Sequence, residues 1–304
     1  MRTVLFGASK AGQYFIEQNP SANIVAVADN DTGRHGTQLL DVPVIPPARL
    51  SELNFDALII TSQWVDAIRH QLVNELNIDP ALIHIPPKQQ VKAAHPFMHP
   101  PTLKLAHTLM HQLHSFLETY GIVACLDSGT LLGAVRDQQL IPWDDDIDLA
   151  LDPVNFNRLL LVSDQLYRYL PSQSGLHWQL VKIEVNGRAC CINIEFTCEV
   201  AGDWISFDLS LQLREVSGGY SELISSTGLF FAPAEHFAQL EQKEFLGKIF
   251  WIPSKANDFL TFMYGNWQTP QKDFRITEYH SRRADLPLDK AQPVITKQEI
   301  ARPC

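Results

Sequence analysis

From residue 3 to residue 85, short apolar runs alternate with segments whose apolar residues recur at helical spacing. That alternation is the signature of a parallel sheet covered by helices. Thr3 to Phe6 reads as a first strand, and Gly7 to Gly12 as a turn entering a helix. Ile24 to Ala28 reads as a second strand, ending at Asp29. Further strands are expected at Ala57 to Ile60 and Leu82 to Ile85, with a helix from Trp64 to Leu76 between them. The pattern then breaks. His95-Pro-Phe-Met-His-Pro-Pro101 is rich in proline, which blocks helix and ladder formation and favours an extended linker.

Beyond the break, Leu103 to Tyr120 predicts a helix with Ala106, Leu109, Met110, Leu113 and Leu117 on one apolar face. His107, His111 and His114 fall on a neighbouring face. His107 and His111 have a ligand-like i,i+4 spacing, but HTLMH lacks the glutamate of a zinc protease, so the face reads as solvated or partly buried. A strand at Ile122 to Leu126, a turn at Asp127 to Thr130, a short helix to Val135, a strand at Ile147 to Leu151 and a helix from Asn155 to Tyr169 follow. Strands then dominate, at Trp178 to Val185, Cys190 to Thr197 and Trp204 to Leu209, before a last helix from Lys255 to Tyr264 and a polar tail. The expected architecture is α/β: a Rossmann-like parallel sheet over residues 1–94, a linker over 95–102, an α+β domain with a mixed sheet over 103–280, and a tail over 281–304.

Composition narrows the function classes. The chain is 304 residues long, enough for two domains or one large one, and 45% hydrophobic, so a substantial core can be buried. Its net charge of −10 lacks the basic surface that nucleic acid or an anionic membrane requires. The five cysteines contain no CxxC pair and do not form a disulfide framework. Cys190, Cys191 and Cys198 offer zinc-ligand chemistry, yet no second spaced pair accompanies them, and buried strand cysteines are the better reading. No signal-like or bilayer-length apolar segment is seen, so a soluble cytoplasmic protein is expected, at most peripheral at the inner membrane surface.

The chemistry concentrates in Asp127-Ser-Gly-Thr-Leu-Leu-Gly-Ala-Val-Arg136 and Ile141-Pro-Trp-Asp-Asp-Asp-Ile-Asp-Leu149. The first segment places Ser128, Gly129 and Thr130 where a strand turns into a helix, so backbone N–H groups can meet phosphate oxygens. Arg136 is suited to neutralise a second phosphate. In the second segment Asp144, Asp146 and Asp148 alternate, so an extended backbone turns all three to one side and Asp145 and Ile147 to the other. Like charges so placed call for a divalent cation, Mg²⁺ or Mn²⁺. A solvated acidic turn is less attractive because Ile141, Trp143, Ile147 and Leu149 anchor the run. A calcium loop of the EF-hand type is rejected, since Leu149 and Asn155 stand where that loop needs glycine and glutamate.

The run GTLLGAVRDQQLIPWDDDIDLAL resembles the signature of the LicD family, which includes bacterial phosphocholine transferases and is similar to the fukutin-type glycan-modifying enzymes. Tyr264-Gly-Asn-Trp-Gln-Thr-Pro270 resembles the closing Tyr-Gly-x-Trp-x-x-Pro segment of that family. Two ordered motifs are far more specific than one, and the resemblance spans roughly residues 100 to 275. It implies a nucleotidyltransferase-like fold, with Gly129 and Thr130 for phosphate contact and Asp144, Asp146 and Asp148 for metal. A further carboxylate is expected from a later strand, Asp208 first and Glu195 second, although Asp208-Leu-Ser-Leu211 departs from the Asp-Ile-Phe-Pro of the family. The activity so implied is transfer of a phospho-alcohol group, phosphocholine-like or polyol phosphate, from a CDP-alcohol donor to a glycan acceptor. The alternatives are transfer of a nucleoside monophosphate, or a nucleotide-sugar-binding regulatory protein.

In the first domain, Gly7-x-x-x-x-Gly12 lacks the Lys-Ser/Thr of a Walker loop, and Ser9 breaks a GxGxxG fingerprint. Gly7, Gly12 and Asp29 are the cofactor-binding candidates, Asp29 standing where a Rossmann acid meets a ribose. The domain resembles small Rossmann-like modules attached to sugar-modifying enzymes, which favours scaffolding or nucleotide-sugar binding over redox use.

Overall fold

The computed structural model describes residues 1–62, 64–91, 95–200, 202–225, 228–271, 281–283 and 295–303. Contacts divide the chain into two units, residues 1–93 forming most of one and 94–270 most of the other.

In the first unit, strands β1 (Arg2–Phe6), β2 (Asn23–Ala28), β3 (Gln38–Leu39), β4 (Val42–Ile45), β5 (Ala57–Ile60) and β6 (Ile83–His84) form one sheet in the order β3-β4-β2-β1-β5-β6. All neighbours pair in parallel except the β3–β4 hairpin. β1 is apolar throughout because both of its faces are covered. Val4 and Phe6 join one core with Leu58, Ile60 and Leu72, while Leu5 joins another with Phe15 and Val27. Helix α1 (Lys10–Gln18) supplies Phe15 to the second core, and α2 (Val65–His70) supplies Val65 and Ile68 to the first. A parallel sheet with its first strand central and helices on both faces is Rossmann-like, as the sequence predicts. The helix expected from Trp64 to Leu76 changes at Gln71 to a π-helical turn, Gln71–Glu75.

The second unit opens differently from expectation. Residues 95–102 do not form an extended linker. Pro96 opens a 3₁₀ turn (Pro96–Met98) and Pro100 opens helix α3 (Pro100–Thr119), positions where the missing N–H of proline has no intrahelical partner to lose. Phe97 is buried in the core of this unit. Strand β7 (Cys125–Leu126), helix α4 (Ser128–Arg136), strand β8 (Asp146–Leu151) and helix α5 (Pro153–Val162) follow. Asp152 caps α5 by accepting from the Asn155 N–H at 2.8 Å. α5 tightens into a 3₁₀ stretch over Ser163–Tyr169, where one continuous helix was expected.

Strands β9 (Leu176–Val185) and β10 (Arg188–Cys198) are joined through Asn186-Gly187, both at positive φ, which matches the twist of a tight hairpin. Then come β11 (Asp208–Ser217), β12 (Tyr220–Ser225), β13 (Gly228–Pro233), helix α6 (Glu235–Ala238), β14 (Leu240–Phe245), β15 (Lys248–Pro253), helix α7 (Ala256–Tyr264), β16 (Arg282–Arg283) and β17 (Ile295–Glu299). The main path of the mixed sheet runs β14-β15-β7-β8-β11-β10-β9-β17. The strand expected at Trp204 to Leu209 begins only at Asp208. Phe207 packs its ring against Phe97 and Phe196 at centroid distances of 5.6 and 5.2 Å. The polar tail contributes β17, which pairs antiparallel with β9.

The five apolar residues expected on α3 are all buried, in one core with Ile147, Leu149, Leu209 and Leu211. The histidine face of α3 is partly buried: the His111 and His114 rings contact the carbonyls of Leu246 and Ile249. Cys125, Cys190 and Cys191 are buried strand cysteines and Cys198 is half-buried, whereas Cys304 lies outside the described residues. No helix among the described residues is long and apolar enough to cross a membrane.

Candidate active site

The site in the second unit starts where β7 gives way to α4. Asp127, with an extended backbone, caps α4 by accepting the Ser128 N–H at 2.8 Å. Ser128 adopts the left-handed conformation (φ 50), a rare state for a residue with a Cβ, so the surrounding contacts must hold it. The N–H of Asp127 donates to the Asp148 carbonyl at 3.0 Å and stitches the turn to β8.

Gly129 has a different task from the phosphate approach expected of it. A Cβ there would lie 2.1 Å from Asp144 Oδ2, so the missing side chain makes room for the Asp144 carboxylate. That carboxylate rests against the positive end of α4, which stabilises its charge. Thr130 also differs from expectation. It is buried, and its hydroxyl oxygen accepts from the Asp148 N–H at 2.9 Å, locking α4 to β8 and leaving backbone N–H groups of the first helical turn as the phosphate-suited donors.

The aspartate run begins in a turn, with the Asp144 N–H donating to Ile141 O at 3.0 Å, and becomes a strand only at Asp146. The expected alternation therefore fails at Asp145. Instead of pointing away, Asp145 offers an oxygen that lies within 4.8 Å of oxygens from Asp144 and Asp146. Three half-buried carboxylates gathered in this way fit a divalent cation.

Asp148 stands one strand period deeper. Burial, and then the charges of Asp146, Asp127, Asp144 and Asp208, hold its carboxyl well above the usual carboxylate range. Gln212 donates to Asp148 Oδ1.

Asp208 reaches the cluster through the parallel pairing of β8 with β11, in which Asp208 stands opposite Asp146 and Ser210 opposite Asp148. Register partners in adjacent strands share a face, so Asp208 lies on the face of Asp146. Ser210 donates to Asn193 Oδ1 on β10 at 3.0 Å. Glu195, two residues further along β10, shares the face of Asn193.

Arg136 is not presented as an open phosphate ligand. Its Nε and Nη2 donate to both oxygens of Asp137, at 2.9 and 2.7 Å, and Nη1 donates to the Trp267 carbonyl at 3.3 Å. The guanidinium also lies 5.9 Å from the Trp143 ring centroid. It thus joins the aspartate segment to the Tyr264–Pro270 segment.

Sequence reasoning missed Asp145, Gln212 and Arg214. The last two had a signal: Asp208, Ser210, Gln212 and Arg214 alternate with Leu209, Leu211 and Leu213, which defines a polar face along β11.

In the first unit, Gly7 adopts φ 121 against the Thr61 backbone, and Gly12 lies inside α1, where a Cβ would stand 2.2 Å from Gly7 O. Both glycines answer close backbone packing. Asp29 accepts from the Ala8 N–H at 2.6 Å and from the Asp31 N–H at 2.8 Å, so both of its oxygens already hold the turn together.

Neighbouring strands thus set these carboxylates side by side near the start of α4 in a mixed α/β unit. Residues 121–255 match the LicD/FKTN/FKRP nucleotidyltransferase domain, so the second unit carries a LicD-family domain. Residues 1–83 match the domain described as C2185-like, N-terminal. Among curated proteins, the lipopolysaccharide cholinephosphotransferase LicD of Haemophilus influenzae is 38% identical over 52 residues, 17% of this chain and 20% of that protein. The uncharacterized protein RT0683 of Rickettsia typhi is 41% identical over 63 residues, 20% of each chain. The match therefore spans about a fifth of the length of these relatives. Among solved structures, GenD2 from gentamicin A biosynthesis, in complex with NAD, is 11% identical with a TM-score of 0.23, covering 78% of this chain and 73% of that one. UDP-N-acetylglucosamine 3-dehydrogenase GnnA from Acidithiobacillus ferrooxidans is also 11% identical, with a TM-score of 0.22, covering 86% and 88%. At such TM-scores the likeness carries no functional weight.

Proposed function

We propose that the second unit is a metal-dependent transferase that moves a phospho-alcohol group from a CDP-type donor to a sugar hydroxyl in cell-surface glycan biosynthesis. The observation that carries this reading is the β8–β11 register, which sets Asp208 beside Asp146 at the start of α4 in a LicD-family domain. The H. influenzae relative, named as a lipopolysaccharide cholinephosphotransferase, supports phosphocholine as the first group to test and lipopolysaccharide as the first acceptor class.

Asp144, Asp145 and Asp146 would hold Mg²⁺ or Mn²⁺, with Asp208 and Asp148 beside them. When bound, the cation supplies charge neutralisation at the diphosphate and the leaving oxygen. Backbone N–H groups at the start of α4 orient the phosphates. The sugar hydroxyl forms a bond to the distal phosphorus, the bond from that phosphorus to the nucleoside monophosphate oxygen breaks, and the monophosphate leaves. The hydroxyl proton passes to a carboxylate, with Asp208 and Asp148 as the candidates. A CDP-type donor places this chemistry in the cytoplasm, with the chain at most peripheral to the inner membrane. The first unit acts as a scaffold or a nucleotide-sugar-binding module, and the engagement of both Asp29 oxygens within their own turn favours the scaffold.

Incubation with a panel of CDP-alcohols and sugar acceptors, with Mg²⁺ or with EDTA, tests the reading. Metal-dependent release of CMP with a phospho-alcohol on the sugar is expected. Release of the phospho-alcohol with CMP on the acceptor would show monophosphate transfer instead, and nucleotide-sugar binding without any product would make the chain a regulatory binder.

A further inference from the structure

Among the described residues, Arg214 of β11 and Asp127 form the one ion pair with both side chains almost wholly removed from solvent, at 3% and 1% exposure. Arg214 Nε donates to Asp127 Oδ2 at 2.6 Å, and Nη1 donates to the Ser221 carbonyl at 3.2 Å. The guanidinium carbon lies 4.7 Å from the Phe237 ring centroid and 6.0 Å from that of Phe259. Taking two charges out of water carries a free-energy penalty, and apolar side chains of similar volume often serve a core equally well. The pair therefore points to a task besides packing.

Its connections indicate that task. Asp127 Oδ1 accepts the N–H of left-handed Ser128, and the Asp127 N–H reaches the Asp148 carbonyl. Arg214 stands on the strand that carries Asp208. One guanidinium thus ties the start of α4, the aspartate strand β8 and the added strand β11 to a common point. It is also a buried positive charge beside a cluster of carboxylates that repel one another.

We propose that Arg214 is a positioning residue. Acting through Asp127, it fixes the α4 turn relative to Asp146, Asp148 and Asp208 and offsets part of their repulsion, so that the cluster is set for a cation. This rests on the metal-site reading above. Arginine suits the role better than lysine because its planar group donates in two fixed directions while its faces stack on aromatic rings.

The test uses the full chain and Mn²⁺ alone, with titration calorimetry for affinity and melting temperature read in EDTA and in Mn²⁺. The unaltered chain should bind Mn²⁺, and Asp146→Asn should not. Arg214→Met should still melt cooperatively in EDTA but bind Mn²⁺ about tenfold or more weakly, as loss of an outer-shell partner does elsewhere. Its Mn²⁺-induced rise in Tm should shrink, with Arg214→Lys intermediate. A merely structural role would lower Tm equally in EDTA and Mn²⁺ and leave the affinity unchanged, which overturns the proposal. Should Arg214→Met not fold, Arg214→Lys decides by the same criterion. A chain that binds no Mn²⁺ overturns the metal reading and this proposal together. Binding lost in Asp146→Asn but kept in full by the Arg214 variants overturns the positioning role alone.

Discussion

At the scale of single residues, the site is built by what is missing as much as by what is present. The Asp144 carboxylate occupies the space a side chain at position 129 would take. Gly129→Ala should displace Asp144 and weaken Mn²⁺ binding about tenfold or more, with cooperative melting in EDTA retained. Titration of the purified variant measures this, and unchanged affinity would remove Asp144 from the ligand set. Asp146→Asn should abolish metal-dependent turnover with the far-UV circular dichroism unaltered, because it removes a ligand charge at the centre of the cluster. Near-normal turnover at saturating Mg²⁺ would sink that assignment. The register also ranks the candidate acids. Asp208 is the register partner of Asp146 across β8–β11, so Asp208→Asn should be more impaired than Glu195→Gln in the same CMP-release assay. The reverse order would move the added carboxylate to β10.

Between elements, the two motifs of the LicD resemblance meet through Arg136, whose guanidinium bridges Asp137 and the Trp267 carbonyl. Arg136→Ala removes these charge-assisted bonds from a largely buried side chain and should lower stability by roughly 1–3 kcal/mol. Urea unfolding with an unchanged m-value checks this, and a loss confined to donor binding would restore the phosphate role. Much of this scale was legible in the chain. Ile147 and Leu149 mark a strand by period alone, whereas the alternation of Leu209, Leu211 and Leu213 was read only as far as Leu209. What escaped was set by tertiary contact. Asp145 turns with Asp144 and Asp146 because the backbone there is not yet a strand, and Arg136 finds its carbonyl partner far along the chain. The hairpin of β14 and β15 lay unread because half-exposed strands with charged residues, such as LEQKEF, blur the alternation on which strand reading depends.

For the whole molecule, the boundary matters more than its prolines suggest. Phe97 belongs to the core of the second unit, so a chain starting at His95 should melt cooperatively and keep a Mn²⁺-induced rise in Tm, whereas one starting at Thr102 should melt at a lower temperature. Equal melting of the two fragments would show that Phe97 contributes nothing, and failure of both to fold would show that the second unit depends on the first.

β17 covers one margin of the mixed sheet by pairing with Val181 to Val185 of β9. Stripped of that cover, β9 would present an open row of backbone donors and acceptors, a template for joining sheet to sheet between molecules. A chain ending at residue 294 should therefore self-associate as its concentration rises, visible as growing light scatter and a sedimentation coefficient that climbs with loading, while the aspartate cluster several strands away stays intact.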